Sequence, residues 1–91
     1  MRVEWTLRAA QNLDSILALI ARDSPSAAAR FLADGLAQIN QLSAFPLLGK
    51  SGIVPLTREF VIHENYTVFY RVRGNVVQIL RVLHVRRKYP Y

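Results

Sequence analysis

The side chains best suited to chemistry crowd the end of the chain. Arg81, Arg86, Arg87 and Lys88 fall within the last eleven residues, with His84 and Tyr89 among them and Arg71 and Arg73 in the preceding segment. Guanidinium and ammonium groups at that density attract phosphates and carboxylates, and a histidine has the intrinsic pKa to move a proton near neutral pH. Two chemistries fit. One is a grip on a polyanionic or acidic macromolecule. The other is a cationic site built from Arg81, His84 and Arg86 that stabilises charge developing on a phosphate. The plainer alternative is a solvated basic tail, with Tyr89 and Tyr91 anchoring it by burying their rings. Arg81 differs from the rest because its strand neighbours are apolar. Arginine is rarely buried unpaired, so a structural ion pair is the first expectation and a ligand contact the second.

Other classes of site are poorly supported. The chain has no cysteine, and its two histidines, His63 and His84, have no carboxylate at ligand spacing, so no metal is expected. Its four glycines follow neither a phosphate-loop nor a dinucleotide fingerprint, and no cofactor is expected. Arg58 and Glu59 are adjacent on a strand and point to opposite faces, so they are not an acid/base pair. The net charge of +6 and pI near 10.5 favour nucleic acid or an acidic protein as partner. Ninety-one residues, 52% of them hydrophobic, suit a single folded domain over 1–91. The opening MRVEWTLRAA has no apolar leader core, and no run approaches the roughly 20 apolar residues of a membrane span. A soluble, cytoplasmic protein with no membrane partner is the expectation.

These residues need elements to position them. Residues 3–5 read as a short strand, and Thr6 offers a hydroxyl to cap a helix. Ala10, Leu13, Ile16, Leu17 and Ile20 then recur at helical spacing, to an end near Arg22 or Asp23. Ser24-Pro25 starts a second helix, because proline at the first helical position loses no needed hydrogen bond. Its apolar face is Ala28, Phe31, Leu32, Gly35, Leu36, Ile39 and Leu42. Gly35 costs helix stability, and close approach of the neighbouring helix is the expected return. The short connection implies an antiparallel hairpin. Residues 45–52 form a loop.

Beyond Pro55 the period becomes two. Residues 57–62 read as a strand, 63–65 as a turn, and Tyr66–Arg73 and Val76–His84 as strands joined at Gly74-Asn75, a dipeptide suited to a two-residue hairpin turn. A regular register from that turn pairs Val72 with Val77, Tyr70 with Ile79, Phe69 with Leu80 and Val68 with Arg81. One sheet face then carries Tyr66, Val68, Tyr70, Val72, Val77, Ile79 and Leu83. The other carries Phe69, Leu80 and Val82 with Thr67, Arg71 and Gln78. Both faces are partly apolar, yet the helical hairpin covers only one. The second face is expected to await a partner, unless the C-terminal tail folds back over it.

The order of elements and several motifs resemble the ParE/RelE toxin superfamily. The motifs are W-T-x-x-A at 5–9, D-S-P-S-A-A-A-R-F at 23–31, F-P-x-x-G-K-S-G at 45–52, R-E-F at 58–60, Y-T-V-F-Y at 66–70 and I-L-R-V-L-H-V-R-R at 79–87. The resemblance spans nearly the whole chain. It implies an α+β, two-layer β-α-α-β-β-β fold, with an antiparallel-dominated sheet, the first strand beside the last and the helical hairpin on one face. It also implies neutralisation by a cognate, ParD-like or similar antitoxin.

Two branches of the superfamily imply different functions. RelE-like members cut mRNA on the ribosome, whereas ParE-like members poison DNA gyrase without cleaving anything. RelE-like chains carry cations where this sequence has Phe60, Thr67 and Val85. Their loss favours the gyrase reading, in which no residue is catalytic and Arg81, His84, Arg86, Arg87, Lys88 and Tyr89 bind the target. On the RelE-like reading, Arg58, Arg81, His84, Arg86 and Tyr89 would serve cleavage. A third possibility is a non-toxic module that binds an antitoxin. Phe69, Arg71, Leu80 and Val82, on the face left by the helices, are the expected antitoxin contacts.

Overall fold

The computed structural model of the chain describes residues 1–87. It comprises β1 (Arg2–Trp5), α1 (Leu7–Asp23), α2 (Pro25–Ala44), β2 (Lys50–Ser51), β3 (Arg58–His63), β4 (Tyr66–Arg73), β5 (Val76–His84) and a closing 3-10 turn, Val85–Arg87. The strands form one sheet in the order β1-β5-β4-β3-β2. β1 runs parallel to β5, and the other pairs are antiparallel. This is the α+β architecture expected, with one addition: part of the 45–52 loop pairs with β3 as the two-residue strand β2.

The helices begin where the sequence offers caps. Thr6 Oγ1 accepts from the Ala9 N–H at 3.1 Å and donates to the Ile79 carbonyl at 2.9 Å, so one hydroxyl caps α1 and ties it to β5. Ser24 serves both helices. Its N–H donates to Ile20 O at the end of α1, and its side chain accepts from Ala27 N–H at the start of α2. Both helices lie on one sheet face. Leu13, Ile16, Leu17 and Ile20 of α1 and Phe31, Ile39 and Leu42 of α2 meet Tyr66, Val68, Tyr70, Val77, Ile79 and Val82 of the sheet. Gly35 faces this sheet rather than α1. A Cβ added there would lie 3.6 Å from Ile62 of β3, an ordinary contact, so Gly35 is not required by close helix packing.

The register departs from the regular one at a single point. Val72 pairs with Val77 and Tyr70 with Ile79, but Phe69 pairs with Arg81, Val68 with Val82 and Thr67 with Leu83. Leu80 is the extra residue of a β-bulge, and everything beyond it changes face. Val82 therefore points into the core and is 1% exposed, whereas Leu83 turns to the opposite face. The bulge lies just past the point where β1 ends against Ile79. There Asn12 of α1 accepts from the Val82 N–H at 3.1 Å, satisfying a backbone donor that β1 no longer reaches.

The second face also departs from expectation. Phe69 is 0% exposed, Thr67 1% and Glu59 5%, so the centre of that face is already buried within the chain. Its accessible apolar surface lies at the margin, where Val61 is exposed and Leu80 and Leu83 are half-buried. Residues 88–91, on which the expectation of a covering tail rests, lie outside the described residues.

Candidate functional site

The bulge and the sheet pairing separate the cations that the sequence places close together. Arg81 sits opposite Phe69, on the face away from the helices, in one row with Glu59 across the three strands β3, β4 and β5. Glu59, Phe69 and Arg81 all have interaction partners. His84 pairs with Tyr66 at the far end of β5 and lies on the helix side. Its ring meets the edge of Tyr66 at 5.2 Å, and its Nδ1 accepts from the Arg86 N–H at 3.1 Å. That hydrogen bond places the ring proton on Nε2 in the neutral side chain. His84 and exposed Arg86 share a groove of about 420 Å³ with Asn12, Ile16, Leu19 and Leu83.

Arg58 lies elsewhere. It pairs with Tyr70, four residues along β4 from the partner of His84, and β4 lies between their two strands; at about 3.3 Å per residue and about 4.8 Å per strand spacing, Arg58 and His84 are roughly 16 Å apart along the backbone plane. Its guanidinium donates to Gly49 O at 2.7 Å. The expected cleavage set is thus not assembled: His84 and Arg86 come together, Arg81 is on the other face, and Arg58 holds a loop. Lys88 and Tyr89 lie outside the described residues.

Of the expected antitoxin contacts, Phe69 and Val82 have 0% and 1% exposure and present no surface. Arg71 and Leu80 remain half-accessible, Arg71 with its Nε donating to Gln78 Oε1 at 2.7 Å.

One arrangement was invisible to sequence reasoning. Tyr70 is fully buried, and its hydroxyl donates to Pro46 O at 2.7 Å and accepts from Gly49 N–H at 2.9 Å. Burial raises its pKa above the ordinary 10.0, opposed by the Gly49 N–H and the Arg58 charge, so the phenol stays protonated and able to donate. Tyr70 and Arg58 together latch the loop after α2 onto the sheet. A Cβ at Gly49 would lie 2.7 Å from Glu59 O and 2.8 Å from the Tyr70 ring, so only glycine fits this close approach. The G-K-S-G motif marked the place, but not the partner.

The chain matches, over residues 3–89, the family described as ParE toxin of type II toxin-antitoxin system, parDE. It is 39% identical over 90 residues to the candidate toxin Y4kP of Sinorhizobium fredii, an alignment covering 98% of this chain and 93% of that one. Among solved structures it resembles the chromosomal ParDE toxin-antitoxin system from P. aeruginosa, with a TM-score of 0.82, 29% identity and coverage of 93% and 96% of the two chains. A YoeB/ParE toxin from Agrobacterium tumefaciens shares the fold at TM-score 0.67 and 17% identity, over 92% of this chain and 98% of its own. Matched by the family model over residues 3–89 and by a relative 39% identical along 98% of its length, this chain belongs to the ParE toxin family of type II toxin–antitoxin systems.

Proposed function

We propose that this toxin arrests growth by binding DNA gyrase, and that a cognate antitoxin neutralises it. The observation that carries the first half is the dispersal of the cations a nuclease would need. Phe60, Thr67 and Val85 stand where RelE-like chains carry positive charge, and Arg81 and His84 lie on opposite faces of the sheet. General acid/base catalysis on a phosphodiester requires such groups to converge within hydrogen-bond reach of one reacting centre. A cationic end for docking has no such requirement, because electrostatic attraction to a negatively charged complex acts over a Debye length. The likeness to a ParDE system supports the antitoxin half.

Purified protein should inhibit supercoiling by gyrase and accumulate cleaved DNA complexes. Absence of either effect at micromolar protein sinks the gyrase reading. The groove shared by His84 and Arg86 favours a second reading, cleavage of mRNA during translation. It predicts transcript cutting in a translating extract that disappears in His84→Ala or Arg86→Ala. Growth arrest on induced expression separates both readings from a non-toxic binding module.

A further inference from the structure

The two edges of the sheet are not alike. β2 is two residues long and carries Lys50, a short charged edge of the kind that turns other strands away. β1 is four residues long and closes the sheet on the other side, where no strand pairs with it among the described residues. Arg2 and Thr6 donate their N–H groups to Asn75 O and Ile79 O. Backbone groups alternate along a strand, so Glu4 also faces β5, while the N–H and C=O of Val3 and Trp5 face outward.

The side chains of β1 alternate as well. Val3 and Trp5 pack against the core. Arg2 and Glu4 stand on the opposite face, their side chains 69% and 46% accessible, in an ion pair of 2.9 Å that water and salt loosen. Opposite charges on either side of Val3 have a property that a single guarding charge lacks. When a second β1 is set antiparallel to the first about a two-fold axis at Val3, Arg2 falls opposite Glu4 of the second copy, and Glu4 opposite its Arg2. The two Val3 residues then exchange their outward N–H and C=O as a hydrogen-bonded pair. Trp5 falls opposite Met1, an apolar side chain 47% exposed in the single chain. The neighbouring axes, at Arg2 or at Glu4, set like charges face to face.

We infer that β1 is a self-complementary edge through which two copies of this chain pair, antiparallel about Val3, with one sheet running through both. The dimer is weak and reversible, because two four-residue strands bury less than the roughly 1,200 Å² of a stable interface. The inference stands apart from the gyrase reading, since β1 holds none of the residues assigned to the target.

The test is sedimentation velocity on the untagged full chain, from micromolar to nearly millimolar protein. Salt at about 0.15 M limits repulsion between two chains of net charge +6 to a range of about 8 Å. The parent should move from 10.4 kDa toward twice that mass as concentration rises. Arg2→Glu and Glu4→Arg each set like charges opposite one another and should weaken association by about tenfold or more. Both also break the ion pair within the chain, so their equimolar mixture decides. There, two carboxylates of one chain face two guanidinium groups of the other, and a mixed dimer should form at least as tightly as the parent's. A role confined to the single chain gives no gain on mixing. A parent that stays monomeric throughout overturns the inference, as do variants that associate like the parent. A mixture that associates no more tightly than its components overturns it too.

Discussion

Tyr70 concentrates several demands in one hydroxyl. It bridges Pro46 O and Gly49 N–H, groups 24 and 21 residues away in sequence, from a fully buried ring. Tyr70→Phe keeps the ring and strands both backbone groups, which should cost about 1–3 kcal/mol in chemical denaturation. The pH dependence follows from the raised pKa. A phenol that holds its proton more tightly when folded contributes stability that is complete below 10.0, its ordinary value, and lost as pH rises through the folded value. Above pH 10 the parent should therefore lose stability more steeply than Tyr70→Phe, and equal slopes would contradict the assignment. The two helix caps were legible because their chemistry is local, within three residues along the chain. The Tyr70 latch was not, because its partners are backbone atoms that carry no side-chain signature.

The elements themselves followed from periodicity and breakers, since Ser24-Pro25 and Gly74-Asn75 are strong local signals. Register past residue 79 did not. A bulge inserts one residue without changing composition, so L-R-V-L reads equally well in either phase. The two phases make opposite predictions. In the observed one Val82 is core and Leu83 is marginal, so Val82→Ala should cost about 2 kcal/mol and Leu83→Ala less than half of that. Urea denaturation of the two variants decides between them, and a larger loss at Leu83 would restore the unbulged register. The misplaced faces also explain why Val82 resembled a binding residue in the sequence. It alternates with Leu80 in number but not in space.

At the scale of the whole molecule, charge and topology carry different information. The net charge of +6 does not select a fold, but it governs encounter with acidic partners. Association with a purified antitoxin should slow by about tenfold or more between low and high salt in stopped-flow measurements, with the dissociation rate changing little. A salt-independent association rate would remove the cationic surface from the encounter. The two-layer arrangement was readable from element order and motifs. The burial of Phe69 at the centre of the second face was not, because coverage of a surface is a long-range property that alternation along a strand leaves open.

Ser24, shared as the stop of one helix and the start of the next, leaves the hairpin with no slack at its elbow. Neither rod can slide without dragging the other, so the pair behaves as one rigid plate laid on the sheet. Any molecule prying at α1 must lift α2 as well, and extra residues spliced into that elbow would uncouple them.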